Sequence, residues 1–586
     1  MALNIPGVVA VLLFYILILG TGVWAAQKSR KAERKSNGDR TEVVLLGERR
    51  INLVVGIFTM TATWVGGGFI LGLAEAVYTP NRGLVWALMP LQYSFNFILG
   101  GLFFAKPMRD KMYVTMMDPL QQKYGHILCS CLALPSLLGD MLWVSCTLFS
   151  LGKQNTFLLI ERISALCKLF KQLKYFYLPG ITMSVILDLP YSYSVWISSA
   201  VAIIYTLLGG LYSVAYTDVI QLALVFVSLF LCVPFVLLSP KSLSIAQTAF
   251  NHTFQEPWVG NLQQDDIWMW IDDFLLLGLG SVGFQSFHQR TLSAATSATA
   301  QLTCYAAAFV IAILGIPPVL VGAVAASTDW NLTSYGLPPP YDRGEQTFVL
   351  PLTLQSLAPP YISVIGIGAV AAAVMSSTDS GLLSATSVFS SNIYKNILRK
   401  EVSDYEMQWV IRIAVVVVGV VGTSITFYLK STLVLWILGA DVAYTLIFPH
   451  LVAVLFFKGT NGYGGTVGYI LGITIRILVG ENTIGLPVVL PLPGCTLVDG
   501  IYVQKAPFRT FSMLCTLVTI VLFSSLALFI FDRGLLPPHW DVFNVKSSVS
   551  GSPESPVTQS GREETESDIQ CDDNRRGVPL QPMIQS

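Results

Sequence analysis

Residues 375 to 387 read Met-Ser-Ser-Thr-Asp-Ser-Gly-Leu-Leu-Ser-Ala-Thr-Ser, a run of hydroxyls with one carboxylate inside an otherwise apolar stretch. Ser380, Ser384 and Ser387 recur at helical spacing, and Asp379 adds charge. Hydroxyl, carbonyl and carboxylate oxygens are the ligands of a dehydrated Na+ ion. Ser and Thr also let membrane helices pack closely, which is the competing reading for Ser376 and Ser377. An intramembrane Asp, by contrast, is functional by default. A second stretch, Thr59-Met-Thr-Ala-Thr-Trp-Val-Gly-Gly-Gly-Phe69, places three consecutive glycines in the middle of an apolar run. Each Gly costs about 1 kcal/mol against Ala in a helix interior, so unwound backbone with free carbonyls is expected there.

The aromatics suggest what else these oxygens accompany. Trp64 stands beside the glycine break, Tyr93 and Trp143 lie mid-span, and Phe284 follows a second glycine run, Gly278-Leu-Gly-Ser-Val-Gly283. Aromatic faces converging on a cavity suit a quaternary ammonium ion, at about 0.5 to 2 kcal/mol per cation–π contact. A lone mid-span Trp is more often packing. Two helix breaks five spans apart are what two inverted five-helix repeats produce, with the binding site between them.

The elements that must hold these groups are membrane helices. Of 586 residues, 53% are hydrophobic and 12% charged, which excludes an ordinary soluble enzyme. Lys plus Arg balance Asp plus Glu at 35 each, so net charge points to no nucleic-acid partner. The expected fold is an all-α polytopic membrane protein with thirteen spans. They fall near 7 to 25, 51 to 77, 84 to 105, 127 to 152, 190 to 212, 219 to 239, 266 to 288, 300 to 325, 351 to 394, 407 to 428, 432 to 456, 463 to 480 and 508 to 531. The core repeats are 51 to 239 and 266 to 456, within a transporter domain of 1 to 531.

The basic cluster Lys28, Arg30, Lys31, Arg34 and Lys35 after the first span places the N-terminus outside. Alternation then puts Lys106, Arg109, Lys111, Lys123, Arg290, Lys395, Arg399, Lys400 and Lys458 in the cytoplasm. The sequons at Asn251 and Asn331 fall outside, where glycosylation is possible. Segment 153 to 180 breaks the pattern: five basic residues against Glu161 lie in a loop assigned to the outside. It reads as an amphipathic helix on the outer leaflet or as an insertion from a wrongly spliced gene model, and the topology conflict favours the second. Residues 532 to 586 turn to Ser, Glu, Asp and Pro, a composition expected of a disordered cytoplasmic tail.

No phosphate-binding loop and no G-x-S-x-G elbow is present, so ATP-driven pumping and serine-hydrolase chemistry have no visible machinery. The nine cysteines form no disulfide framework. Asp218, at the end of the Gly209 to Asp218 motif, reads either as an interior charge or as a helix N-cap. Asp140, Asp273, Asp441 and Arg476 are further candidates for interior charge.

Thr59 to Gly68, Gly100-Gly-Leu-Phe-Phe-Ala-Lys-Pro-Met-Arg109, Gly209-Gly-Leu-Tyr-Ser-Val-Ala-Tyr-Thr-Asp218, Ala326-Ser-Thr-Asp-Trp-Asn331 and Ala373-Val-Met-Ser-Ser377 resemble the choline carriers of the sodium/solute symporter family. The likeness runs from about residue 1 to 545 and leaves out segment 153 to 180. It implies thirteen helices around a five-plus-five inverted-repeat core, with Na+-coupled, Cl−-dependent choline uptake that supplies acetylcholine synthesis. It also implies a plasma-membrane location, extending to presynaptic and vesicular membranes.

Carried over by position, the resemblance implies one Na+ site at the carbonyls of Ala62, Val65 and Leu383 and the hydroxyls of Thr386 and Ser387. Asp379 belongs to a further cation site, and Trp64, Tyr93 and Trp143 to the choline cage. The fourth wall departs from the family, with Phe284 where Trp is usual, and Leu71 replaces an Asn just past the break. Those departures keep open a Na+ symporter for another organic cation or zwitterion. A non-transporting solute sensor and a nonfunctional paralogue are the readings from other classes.

Overall fold

A computed structural model describes residues 40–166, 191–428, 432–481, 484–498 and 500–543, with Gly20, Trp24, Gln27 and Val545 singly. The described chain is helical, apart from one antiparallel hairpin of β1 (Thr496–Val498) and β2 (Ile501–Val503), in which Thr496 pairs with Val503.

Helix α1 (Leu53–Trp64) is capped by Asn52, whose side chain accepts from the Val55 amide at 2.9 Å. It gives way at Val65 and Gly66 to α2 (Gly67–Tyr78), and the two arms are bent by 54°. A Cβ on Gly66 would lie 2.2 Å from Ser377 Oγ, so the break is also a place of close approach. The second break mirrors the first. Its outer arm contains α6 (Ile267–Gly280), its inner arm is α7 (Gln285–Leu292), and the bend is 51°. Phe284 sits between the arms in extended conformation.

Between the breaks run α3 (Met89–Leu99), α4 (Asp118–Leu166) and α5 (Tyr191–Leu237). α4 and α5 are interrupted at Gly125 and Gly210, each at positive φ. After the second break come α8 (Ser297–Leu314), α9 (Pro360–Val388), α10 (Asp404–Ile425), α11 (Thr432–Val442), α12 (Gly462–Val479) and α13 (Phe508–Asp532). α9 is buried for most of its length and packs on α5 and α4. Lipid tails are as apolar as Leu, so helix association relies on close backbone approach and polar contacts. The α12–α13 pair illustrates this, with Gly464 against the Ile520 carbonyl and Gly472 against Thr516.

Among the described residues, nine helices are long and apolar enough to cross a membrane, or eleven with each bent pair counted as one span. These correspond to eleven of the thirteen predicted spans. Of the other two, 7 to 25 lies outside the described residues, and 190 to 212 coincides with the first arm of α5.

Three expectations change. Arg290, assigned to the cytoplasm by charge alternation, is wholly buried inside the helix bundle, because the second break turns α7 back into it. Asp218 is no N-cap: it lies two turns beyond Gly210 in continuous helix and is fully buried. The tail does not begin at 532. Tyr463 Oη donates to the Trp540 carbonyl at 2.8 Å and accepts from the Val542 amide, and its ring meets Phe543 at 4.8 Å, so residues up to Phe543 dock on the start of α12. Of segment 153 to 180, the backbone is helical through Leu166, and the rest lies outside the described residues, as does the tail beyond Val545.

Candidate functional site

The first break delivers Trp64 as the last residue of α1, and three other elements bring rings to it. Tyr93 of α3 is 4.9 Å away between centroids, Trp143 of α4 4.7 Å, and Phe284 from the second break 6.1 Å. Trp143 and Phe284 meet edge to face at 5.0 Å. The four aromatics singled out in the sequence therefore form one cluster. A fifth ring joins it: Trp436 of α11 lies 6.0 Å from Tyr93. It stands only four residues into its expected span, where a Trp ordinarily reads as an interfacial anchor. All five are at most 8% exposed, and the Trp64 indole N–H has no hydrogen-bond partner among the described residues. Leu71 is buried on α2. Rings assembled in several orientations, with faces and edges exposed to one another, can enclose a cation that carries no hydrogen-bond donors of its own.

Beside the cage lies a set of oxygens. Helix α1 ends without the next turn, so its last carbonyls need outside partners. Ser377 Oγ of α9 donates to the Thr63 carbonyl at 2.9 Å and lies 3.5 Å from that of Ala62. The α9 residues expected beside these carbonyls stand further along the helix. Thr386 and Ser387 lie nine and ten residues beyond Ser377 on an uninterrupted helix, about 13 to 15 Å along its axis. Leu383 lies about 9 Å beyond and packs in a cluster with Leu211 and Val214. Ser387 instead donates to the Ser384 carbonyl, and Thr386 Oγ1 has no hydrogen-bond partner among the described residues. The α9 hydroxyl that meets the break is that of Ser377, at the Thr63 and Ala62 carbonyls, while its neighbour Ser376 turns to Asp218. A stretch with a hydroxyl at nearly every position does not reveal its own register.

Ser376 and Thr59 both donate to Asp218, the latter at 2.5 Å. Arg290 reaches in from α7: Nη2 donates to Ser380 Oγ at 2.6 Å, Nε lies 3.2 Å from Thr63 Oγ1, and Nη2 is 3.8 Å from Asp218 Oδ2. Thr63 and Ser380 are hydrogen-bonded to each other at 3.1 Å. Asp379 accepts from Thr206 at 2.9 Å through Oδ1, and its Oδ2 has no hydrogen-bond partner among the described residues. Arg290 faces both carboxylates. Two carboxylates and one guanidinium leave one negative charge when ionised, which one monovalent cation would balance. No transition-metal site accompanies it: among the described residues no three His, Cys, Asp or Glu side chains come together.

Other polar candidates have different positions. Arg476 ties Asp441 to Glu481, and Arg509 binds Asp273 at 2.7 Å, so these charges hold α6, α11, α12 and α13 together away from the cage. Asn251 and Asn331 are exposed, and their loops lie at the same end of the molecule, joined where the Asp329 amide donates to the Lys241 carbonyl.

A family model described as the Sodium:solute symporter family matches residues 158–472. Curated relatives match most of the chain. One named high-affinity choline transporter 1 from Torpedo marmorata is 46% identical over 546 residues, covering 92% of this chain and 89% of its own. The human protein named high affinity choline transporter 1 is 46% identical over 545 residues, covering 93% and 89%. The chain belongs to the sodium:solute symporter family. Its fold is that of a solved structure described as a Na+-coupled sialic acid symporter in a substrate-bound outward-open state, with a TM-score of 0.65, 18% identity, and coverage of 89% of this chain and 98% of that one. Membership makes this a multi-pass membrane carrier rather than an enzyme, and accounts for the paired helix breaks.

Proposed function

We propose that this chain imports choline, or a close quaternary ammonium relative, across the plasma membrane in symport with Na+. The observation that carries the reading is the convergence of Trp64, Tyr93, Trp143, Phe284 and Trp436 on the junction of the two helix breaks. The names of the relatives that match over nine-tenths of the chain support it. In this reading the cage holds the ammonium head by cation–π attraction.

One Na+ binds the Ala62 and Val65 carbonyls with the Ser376 and Ser377 hydroxyls. A second binds at Asp379, with Ser380 and Asp218 beside it, and completes the charge balance around Arg290. Each positive charge moving inward gains about 2.3 kcal/mol per 100 mV of membrane potential. Chloride as a co-ion, supply of acetylcholine synthesis, an outside N-terminus and glycosylation at Asn251 and Asn331 extend the same reading.

The test is uptake of radiolabelled choline by the full-length protein in proteoliposomes. An inward Na+ gradient should drive accumulation that unlabelled choline competes away. Equal uptake with K+ in place of Na+, or no competition, overturns the proposal.

A further inference from the structure

Asp140 is a buried carboxylate that neither the cage nor the Asp218 cluster uses. It stands on α4 three residues before Trp143, so the two share a helix face one turn apart. Ser384 Oγ of α9 donates to Asp140 Oδ2 at 3.0 Å, while Oδ1 has no hydrogen-bond partner among the described residues. The two helices carry the contact directly from the cage. A Cβ on Gly381 would touch Trp143 at 4.0 Å, and one turn further along α9 Ser384 meets Asp140. Gly139, the preceding residue, lies under the cage wall: a Cβ there would be 3.7 Å from Phe284 Cε1.

The other buried carboxylates of the bundle face arginines. Asp218 and Asp379 share Arg290, Asp272 faces Arg509, and Asp441 pairs with Arg476. Among the described residues no basic side chain pairs with Asp140, and its one hydrogen-bond partner is the neutral hydroxyl of Ser384. A carboxylate taken out of water with one neutral donor is costly when ionised and is relieved by any cation that comes beside it. A resident Lys or Arg would occupy that place permanently. Without one, a mobile cation can enter and leave.

We propose that Asp140 and Ser384 form a transient cation site on the path out of the cage, one turn toward the Asp118 end of α4. That end carries Lys123, which reaches the Lys458 carbonyl and which the charge pattern assigns to the cytoplasm. The ligand is a monovalent cation leaving the cage, either the ammonium head of the substrate or the Na+ that travels with it. The site rests on the transport reading above.

Wild type, D140N, D140E and S384A are compared as full-length proteins in proteoliposomes. Asn matches Asp in shape, can keep the Ser384 hydrogen bond and removes the charge. D140N should keep the external choline half-saturation within about twofold of wild type while its maximal net uptake falls about tenfold, the signature of a slowed release step. D140E should recover part of the rate, and S384A should lose less than D140N. If the site takes the ammonium head, D140N also loses stimulation by preloaded internal choline. If it takes Na+, D140N instead shifts the internal Na+ concentration that inhibits uptake.

An unchanged net rate with both internal responses intact overturns the site. So does a half-saturation that weakens as much as the rate falls, which would put Asp140 in the cage itself. Should D140N fail to fold, S384A is read against the same two responses, and no change in either overturns the site. Should the wild type take up no choline, the transport reading falls, and the Na+-induced rise in melting temperature decides the site: a rise equal in wild type and D140N overturns it.

Discussion

Arg290 Nη2 donates to Ser380 Oγ at 2.6 Å, so a guanidinium from one broken helix is seated in the polar core formed around the other. The same side chain faces Asp218 and Asp379, so the two breaks share one set of charges. A cation bound near Asp379 alters the field at Arg290 directly. That is a physical route by which ion occupancy can bias the second break.

Removing one partner of a buried charge pair costs about 3 to 5 kcal/mol, because the other charge is stranded. R290Q should therefore lower the unfolding free energy by that amount and depress the melting midpoint of the detergent-purified protein. The double variant R290Q/D218N should lose clearly less than the sum of the singles. Strict additivity would mean that the two residues do not interact.

S377A should raise the Na+ concentration for half-maximal uptake about tenfold, equivalent to about 1.4 kcal/mol of ion binding. T386A and S387A should leave it within about twofold, since both lie two to three turns further along α9. A larger effect at Thr386 than at Ser377 would restore the register expected from the sequence.

W436A should weaken choline about 2- to 30-fold, the range of one cation–π contact of 0.5 to 2 kcal/mol. F284W should act in the opposite direction by several-fold, since Trp is the stronger cation partner. Half-saturation for choline uptake reads both, and an unchanged value in W436A would remove that ring from the cage.

The three glycines of the first break differ in what they tolerate. A Cβ on Gly66 would collide with Ser377 Oγ at 2.2 Å, whereas one on Gly68 would make an ordinary 3.6 Å contact with Cys146 Sγ. G66A should abolish Na+-driven uptake in protein that still reaches the surface, and G68A should retain most of it. Equal activity in the two variants would mean that the Gly66 approach to Ser377 is not needed.

Much of this site was legible because its signals are local. Glycine runs announce interrupted helices wherever they fall in an apolar span, so both breaks and the rings adjoining them, Trp64 and Phe284, are readable from the sequence. Register along α9 was not legible: Ser376, Ser377, Thr378, Ser380, Ser384, Thr386 and Ser387 offer similar oxygens, and only the neighbouring helix selects among them. Arg290 was misassigned because charge alternation assumes straight spans, and α7 is bent by 51° from the arm before it. The short sequence Gln289-Arg290, so close to a glycine break, was the available signal. The docking of Trp540 and Phe543 on α12 has its signal in the largely apolar run 534 to 545, which the Ser- and Glu-rich sequence after it obscures.

Gly139 and Gly439 are each within 3.1 to 3.3 Å of the other's carbonyl when given a Cβ, so α4 and α11 touch backbone to backbone beside Phe284. No side chain stands between them to swing aside or shrink. The cage can be retuned ring by ring for how tightly it grips, but along this boundary its width is a property of where two whole helices lie. The size limit that this boundary sets should therefore resist point substitution of the rings, and should shift only with changes that reposition α4 or α11.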